Sequence, residues 1–398
     1  MKRKLNFDIL ESLRGLAALY VCIGHSRGNL WIGGEQYLKL HPRETFGFSD
    51  YLLLALNMLT RLSTEFVIIF FVLSGFSIAH SLRSTTSPIP FYKRRFIRLY
   101  PPYIVAILWA MAVFLLIQAI APQFVDKTYS TPSFDRIADS KQLFQWSVFL
   151  KNLVYLPNIN GVLRPFWSLT IEVIFYLMAP FLFRIKNFYY TSSVLLFLGS
   201  MCIHYFNWPV HHIITDFCFY SIFFAVGVFL YSNYDRVLEK AKFFLTSKAV
   251  WIALFLFFAM IGVSLVIKKY ETITAFMAAL MSVILIIYLL GNSKEIKWLI
   301  GVGRFSYTLY ITHFPTVFLY LSLYFLLTSA TPPYIYNNLV FIPCVFLCLG
   351  VAYLQYYFVE RRSKIVLDNL RKKEIKKREE AGTQKVLLHA RQKRRAGS

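Results

Sequence analysis

The sequence predicts an all-α, polytopic membrane protein with about ten transmembrane helices and both termini in the cytoplasm. Of its 398 residues, 57% are hydrophobic and only 16% are charged, whereas soluble domains have roughly 45–50% apolar and 25% charged residues. Aromatic residues make up 18%, which is typical of lipid-facing helices with interfacial belts. The apolar residues also form long runs separated by charged segments.

Each apolar run that is long enough to cross the membrane is a predicted transmembrane helix. Crossing about 30 Å of hydrocarbon takes roughly 20 helical residues. Ten runs meet this requirement, and the first is the least hydrophobic because it contains two ionisable side chains. The runs cover residues 10–30, 63–82, 102–121, 166–184, 189–206, 213–231, 249–267, 272–291, 305–327 and 338–358. Two long connections, 31–62 and 122–165, are predicted on the outer side.

The distribution of Lys and Arg predicts the orientation of these helices. With a cytoplasmic N-terminus, the inner segments carry 31 Lys and Arg and the outer segments carry 11. Cytoplasmic segments of membrane proteins are enriched in these residues. Both termini are therefore predicted to be cytoplasmic.

The C-terminal segment is strongly basic and accounts for much of the net charge of +23. Residues 361–398 contain 14 Lys and Arg against 4 Asp and Glu. We therefore divide the chain into a transmembrane domain, 1–362, and a basic cytoplasmic tail, 363–398. Beside a membrane, such a tail is more typical of binding to anionic lipids, so we expect membrane lipids and no nucleic acid as its partners.

The five cysteines do not predict a metal site. Cys22, Cys202, Cys218, Cys344 and Cys348 lie in or beside apolar runs, without zinc-type spacing to histidine. We expect them to be small buried hydrophobic residues, and we expect no metal.

The first run, LESLRGLAALYVCIGH (residues 10–25), contains Arg14 and His25. Eleven helical positions separate them, which corresponds to about 20° around the helix and ~16 Å along it. Ionisable residues inside a membrane helix are costly and are usually functional. The alternative is a snorkelling Arg14 and an interfacial His25, but this does not explain why the two side chains share one stripe.

Four further segments carry polar residues in or next to apolar runs. In FYKRRFIRLYPPY (91–103), Arg95 and Arg98 fall on one helix face and suit a phosphate-rich ligand, although a positive-inside anchor would have the same composition. PFWSLTIEVIFYLMAP (165–180) places Glu172 inside an apolar run, where it requires a partner. His313 lies in GRFSYTLYITHFP (303–315), and a lone histidine in such a run is more often structural. Ser74 and Gly75 lie in FFVLSGFSI (70–78), which by itself is typical of helix packing.

The order of these motifs resembles the acyltransferase-3 family of bacterial membrane O-acyltransferases. The matching segments run from about residue 7 to residue 362 and are LESLRGLAAL with His25, FFVLSGF, RRFIRLYP, WSLTIEVIFY, GRFSYTLYITHFP and YYFVERR. The resemblance implies ten core helices in the cytoplasmic (inner) membrane. It also implies transfer of an acyl group from cytoplasmic acyl-CoA to glycans or lipid-linked sugars.

Residue by residue, the resemblance assigns Arg14 and His25 to the basic and histidine pair of the first helix, and Arg95 and Arg98 to the arginines of the third. Glu172 matches the glutamate after WSL. We therefore predict an O-acyltransferase that uses acetyl-CoA, with His25 as general base and Glu172 orienting or polarising its imidazole. Arg95, Arg98 and Arg14 would bind the CoA phosphates, and Arg14 is also predicted to be a catalytic residue together with His25 and Glu172. Direct transfer and an acyl-histidine relay both remain open.

Two other classes of protein are compatible with the composition. A proton-coupled secondary transporter of a small solute could use buried Arg, Glu and His as a relay, but the paired interrupted helices of transporters are not evident in this sequence. A sensory or scaffold protein would leave the buried ionisable residues without a role. Transfer or hydrolysis of acetyl-CoA by the purified protein distinguishes the enzyme from both.

Overall fold

The computed structural model describes residues 6–83, 87–157, 160–267, 270–328, 330–370 and 372. These residues form sixteen α-helices and no β-strand, because a helix satisfies its own backbone hydrogen bonds in lipid. In chain order the helices are α1 (Asp8–Leu30), α2 (Gly34–Leu40), α3 (Phe48–Leu59), α4 (Ser63–Arg83), α5 (Pro88–Ile120), α6 (Pro132–Asp139), α7 (Trp146–Leu153), α8 (Trp167–Arg184), α9 (Lys186–Tyr205), α10 (His212–Ser232), α11 (Tyr234–Lys240), α12 (Lys248–Val266), α13 (Glu271–Gly291), α14 (Lys297–Gly303), α15 (Ser306–Leu327) and α16 (Phe341–Gln355).

Eight segments of the described chain are long and apolar enough to cross a membrane. They are Phe48–Arg83, Pro88–Ile120, Arg164–Arg184, His212–Ser232, Lys248–Val266, Glu271–Gly291, Ser306–Leu327 and Asn338–Leu370. The predicted all-α polytopic fold is thus confirmed. Two further predicted spans correspond to α1 and α9, which are helical but more polar, so the number of ten spans and the location of both termini stay predictions. Most of the predicted basic tail, 363–398, lies outside the described residues.

The centre of the bundle consists of α1, α4 and α15. Helix α1 packs on α4, α14 and α15, and α15 also packs on α5 and α16. The apolar stretches of the segments containing α4 and α15 are each 78% buried, against 33% for α12. The motif-bearing helices therefore form the core, and α12 presents most of its surface to the surroundings.

Glycines set the close approach of α4 and α10. A Cβ atom on Gly75 would lie 2.1 Å from the carbonyl oxygen of Phe224, and a Cβ atom on Gly227 would lie 2.1 Å from that of Val72. Real side chains do not fit at such distances. This reciprocal contact fixes the position of α4, whose middle carries Ser74.

The two long connections predicted on the outer side are folded. Residues 31–62 form α2 and α3, and residues 122–165 contain α6 and α7. The second connection contacts the core at two points. The Tyr103 hydroxyl donates to the carbonyl of Asn152, in the last turn of α7, over 2.7 Å, and the Tyr310 hydroxyl donates to the Pro165 carbonyl, just before α8, over 2.9 Å. The second connection therefore holds the start of α8 inside the bundle.

The cysteines are less uniformly buried than predicted. Cys22, Cys344 and Cys348 are buried, but Cys218 is half-buried and Cys202 is exposed. Cys202 lies on α9, which is at the edge of the bundle, so an apolar run does not by itself imply burial within the protein.

Candidate functional site

Two histidines meet in the centre of the bundle. His25 of α1 and His313 of α15 lie with Nδ1 of the former 2.8 Å from Nε2 of the latter. Their rings are nearly parallel, with an interplanar angle of 11° and a centroid separation of 5.1 Å. His313 is completely buried, whereas His25 is half-buried. His25 is thus the more accessible of the two histidines.

The hydrogen bonds of this pair determine which nitrogen is a free base. Nδ1 of His313 lies 3.1 Å from the carbonyl oxygen of Leu309, and a carbonyl only accepts, so this nitrogen carries the proton. In a neutral His313 ring, Nε2 is then the acceptor, and His25 donates to it from Nδ1. Nε2 of His25 is left with a lone pair that can accept a proton.

The position of His313 is held by the neighbouring turn of α15. Tyr310, three residues earlier, has its ring centroid 5.9 Å from that of His313. Its hydroxyl is 2.6 Å from Ser168 Oγ and also bonds to the Pro165 carbonyl. These contacts join α15 to the start of α8, so the histidine pair is supported by three helices.

Glu172 lies on α8 but does not orient His25 as predicted. Within the described chain, its carboxylate accepts hydrogen bonds from Ser74, over 2.6 Å, and from Tyr176. The ring of Tyr176 in turn faces the guanidinium of Arg95, with Cζ 5.0 Å from the ring centroid. The carboxylate thus supports the arginine cluster, and His313 occupies the position beside His25 that we had expected for Glu172.

The predicted arginines converge at one end of the bundle, which we call the basic end. Arg14 donates to Glu11 over 3.1 Å and to Ser77 over 3.2 Å. Arg95 and Arg98 lie on α5, which begins at Pro88 and carries the whole basic motif in one continuous helix. Both Arg14 and Arg98 act electrostatically on Arg95.

Arg95 and Arg98 are half-buried, and the carboxylates of Glu11, Glu360 and Glu172 act electrostatically on Arg98. Neither guanidinium makes an ion pair or a hydrogen bond with another residue that the structure describes. Guanidiniums held in this way suit phosphate oxygens, which they bind through two parallel hydrogen bonds. The cluster therefore has the chemistry of a polyphosphate site, about 16 Å along α1 from the histidine pair.

Sequence reasoning identified His25, Arg14, Arg95, Arg98 and Glu172 but missed how they are connected. The spacing of Glu172 and Tyr176, one helical turn apart, was a usable signal for their hydrogen bond. Ser74 and Glu172 are 98 positions apart in the sequence, and His25 and His313 are 288 positions apart. A single sequence contains no signal for such pairings.

The fold and the site define a polytopic membrane protein with a pair of histidines in its interior and a cluster of arginines at one end. Residues 7–357 match the acyltransferase-3 family, described as an acyltransferase domain. The chain belongs to this family and is a membrane acyltransferase, which favours an enzyme over the transporter and scaffold alternatives.

Two curated proteins are similar to parts of the chain. The chain is 29% identical over 182 residues to "Protein 2 in picA locus" of Rhizobium radiobacter, covering 42% of this chain and 78% of that protein. It is 30% identical over 163 residues to acyltransferase MdmB of Streptomyces mycarofaciens, covering 40% of this chain and 38% of that protein. No solved structure matches the chain.

Proposed function

We propose that this protein transfers an acetyl group from acetyl-CoA to a hydroxyl of a cell-surface glycan or lipid-linked sugar, in the cytoplasmic (inner) membrane. The observation that supports this most strongly is the His25–His313 contact of 2.8 Å, which leaves a free base in the bundle interior. Activating a hydroxyl requires such a base, because a free hydroxyl is a poor nucleophile near neutral pH.

At the basic end, Arg95 and Arg98 bind the phosphates of the donor, and Arg14 contributes a third cation. This end faces the cytoplasm, where acyl-CoA is available. The distance of about 16 Å from Arg14 to His25 along α1 is comparable to the length of a pantetheine arm. The thioester would therefore lie near His25 when the phosphates are bound.

In the direct reaction, the acceptor hydroxyl oxygen attacks the thioester carbon while Nε2 of His25 takes the hydroxyl proton. The carbon–sulfur bond then breaks, an ester forms, and the sulfur leaves with the proton as free CoA. His313 accepts the hydrogen bond from Nδ1 of His25 and so stabilises the imidazolium while it exists. Transfer through an acyl-histidine would use the same nitrogen as nucleophile.

Glu172 is a positioning residue in this scheme. Its hydrogen bonds to Ser74 and Tyr176 fix the ring on which Arg95 lies. The carboxylate also supplies negative charge near Arg95, which lowers the cost of holding several guanidiniums together before the donor binds.

Mass spectrometry of surface glycans tests the proposal in cells with and without the gene. We expect acetyl esters that are present only with the gene and are removed by mild base. In parallel, purified protein in lipid nanodiscs should bind acetyl-CoA. A surface glycan with identical acyl groups in both strains would contradict the proposed function.

A further inference from the structure

A polar cleft opens at the end of the bundle opposite the basic end. It has a volume of about 350 Å³ and lies between the end of α1, the start of α2, the start of α6 and residues 333–335. This volume is within the range of small-molecule pockets, roughly 300–1,000 Å³. The cleft is not part of the donor site described above.

The cleft is connected directly to the histidine pair. Asn29, which lines it, lies one helical turn after His25 and donates from Nδ2 to the His25 carbonyl over 2.7 Å. Arg136 Nη1 donates to Asn29 Oδ1 over 2.8 Å, and Ser133 Oγ donates to the Asn29 carbonyl over 3.1 Å. The floor of the cleft is therefore fixed relative to His25.

The lining combines hydrogen-bonding groups with apolar ring faces. Gln36, Ser133 and Arg136 provide polar groups, and Trp31 and Tyr334 provide aromatic surface. Carbohydrates present hydroxyls at their edges and C–H groups on their faces, so this lining suits a sugar ring.

The described lining of the cleft has a positive charge and no negative one. Arg136 lines it, but no carboxylate is among its described lining residues, and this guanidinium donates a hydrogen bond to the neutral amide of Asn29. Burial, together with the nearby charge of Arg164, lowers the pKa of Arg136 to about 10, so it is still a cation at neutral pH. A partly buried guanidinium of this kind favours an anionic ligand.

We propose that this cleft binds the acceptor and that the acceptor is an anionic carbohydrate whose carboxylate or phosphate group is bound by Arg136. The inference rests on the proposed function and specifies its substrate class. Arg164 adds positive charge, because it acts electrostatically on both Arg136 and His25. Binding of the anionic group at Arg136 leaves a hydroxyl of the sugar one helical turn away, beside His25.

The experiment compares full-length variants expressed in cells that lack the gene. Arg136→Gln removes the charge but retains a donor for Asn29, and Arg136→Lys retains the charge. Arg43→Gln is the matched control, since Arg43 is an exposed arginine on the same side of the sequence-predicted topology and outside the cleft. Protein abundance, acetyl-CoA affinity and base-labile glycan esters are measured for each variant, and the acylated fragments are sequenced by tandem mass spectrometry.

We expect the acylated sugar or its immediate neighbour to carry a carboxylate or a phosphate, which the fragment masses distinguish. Arg136→Gln should lower the ester content about tenfold or more with unchanged abundance and acetyl-CoA affinity, whereas Arg136→Lys should retain more activity and Arg43→Gln all of it. The inference would be overturned if the acylated sugar and its neighbours were uncharged, or if Arg136→Gln had the ester content of the wild type. Neither result would contradict the proposed acyltransferase activity. If no ester depends on the gene, the proposed function itself fails.

Discussion

At the residue scale, His25 carries the strongest prediction, because its Nε2 is the free base of the histidine pair. We expect His25→Ala to lower glycan acylation by a factor of about 10²–10⁴, which is the usual effect of losing general-base catalysis. Acetyl-CoA affinity should stay close to that of the wild type, because the arginines proposed to bind its phosphates are at the basic end of the bundle, away from His25. Ester content, protein abundance and donor affinity are measured on the same preparation.

His204→Ala provides the matched control, since His204 is an exposed histidine on α9. It should behave as the wild type in all three measurements. If His25→Ala is well expressed and fully active, the base is elsewhere, and His313 is the next residue to test. If His25→Ala instead loses abundance and activity together, the histidine is structural.

A second residue-scale prediction concerns the donor phosphates. Arg95→Ala and Arg98→Ala should each weaken acetyl-CoA binding by about 1.5–3 kcal/mol, the value of a hydrogen bond to a charged group. Lysine at either position should rescue binding only in part, because the two parallel hydrogen bonds of the guanidinium are lost. Isothermal titration in nanodiscs measures the affinities.

Lys93→Ala is the control for this pair, since Lys93 is an exposed cation in the same motif. It removes one charge from the surface and should leave donor affinity nearly unchanged. Equal, small effects of all three substitutions would mean that the motif acts only through general surface charge and that the phosphate site is elsewhere.

The third residue-scale prediction separates two roles for Glu172. Because this carboxylate binds Tyr176 and Ser74, Glu172→Gln should raise the KM for acetyl-CoA about tenfold or more and change kcat less. A residue that orients His25 would show the opposite pattern, a lower kcat with an unchanged KM. Steady-state kinetics over a range of acetyl-CoA concentrations distinguishes the two.

At the element scale, the contact of α4 with α10 should be sensitive to a single methyl group. Gly75→Ala introduces a Cβ where the Phe224 carbonyl oxygen lies at 2.1 Å, so the helices must separate. Overpacking of this kind typically costs about 1–3 kcal/mol, and we expect a lower thermal unfolding midpoint in detergent. Activity should fall as well, since α4 carries Ser74.

Gly199→Ala tests whether the effect comes from packing or from glycine content. A Cβ at Gly199 in α9 has no atom within 4 Å, and alanine is favoured over glycine in a helix by about 1 kcal/mol. Its unfolding midpoint should be equal to or above that of the wild type. Similar losses in both variants would contradict the close approach of α4 and α10.

At the scale of the whole molecule, the predicted orientation of the bundle would place the proposed donor site on the cytoplasmic side and the proposed acceptor cleft on the outer side. Reporter insertions at Thr45 and Tyr336 should be extracytoplasmic, and a fusion at residue 380 should be cytoplasmic. The physical reason is the excess of Lys and Arg on the predicted inner side. Alkaline phosphatase and fluorescent protein fusions read the two sides independently, and an extracytoplasmic residue 380 would place the basic end away from cytoplasmic acyl-CoA.

The sequence alone determined the fold class and the motif-bearing helices, and it predicted the candidate residues of the site. Composition excludes a soluble fold, and helical spacing places Arg14 and His25 on one stripe, because both follow from local rules that act along one chain segment. The sequence did not predict that the outer connection 122–165 contains α6 and α7, or that α5 continues through the basic motif. Both depend on packing against helices that are distant in the sequence.

Only the tertiary structure decided which residues meet. The sequence could place His25, His313 and Glu172 in apolar helices, where each requires a partner, but it did not show which side chains of other helices they contact. Helix packing brought His313 to His25 and Ser74 to Glu172, whereas Tyr176 contacts Glu172 from one turn further along the same helix. It also brought Arg136 to Asn29, beside the histidine pair. Because such contacts depend on the rotation and depth of several helices at once, no periodicity within one helix encodes them.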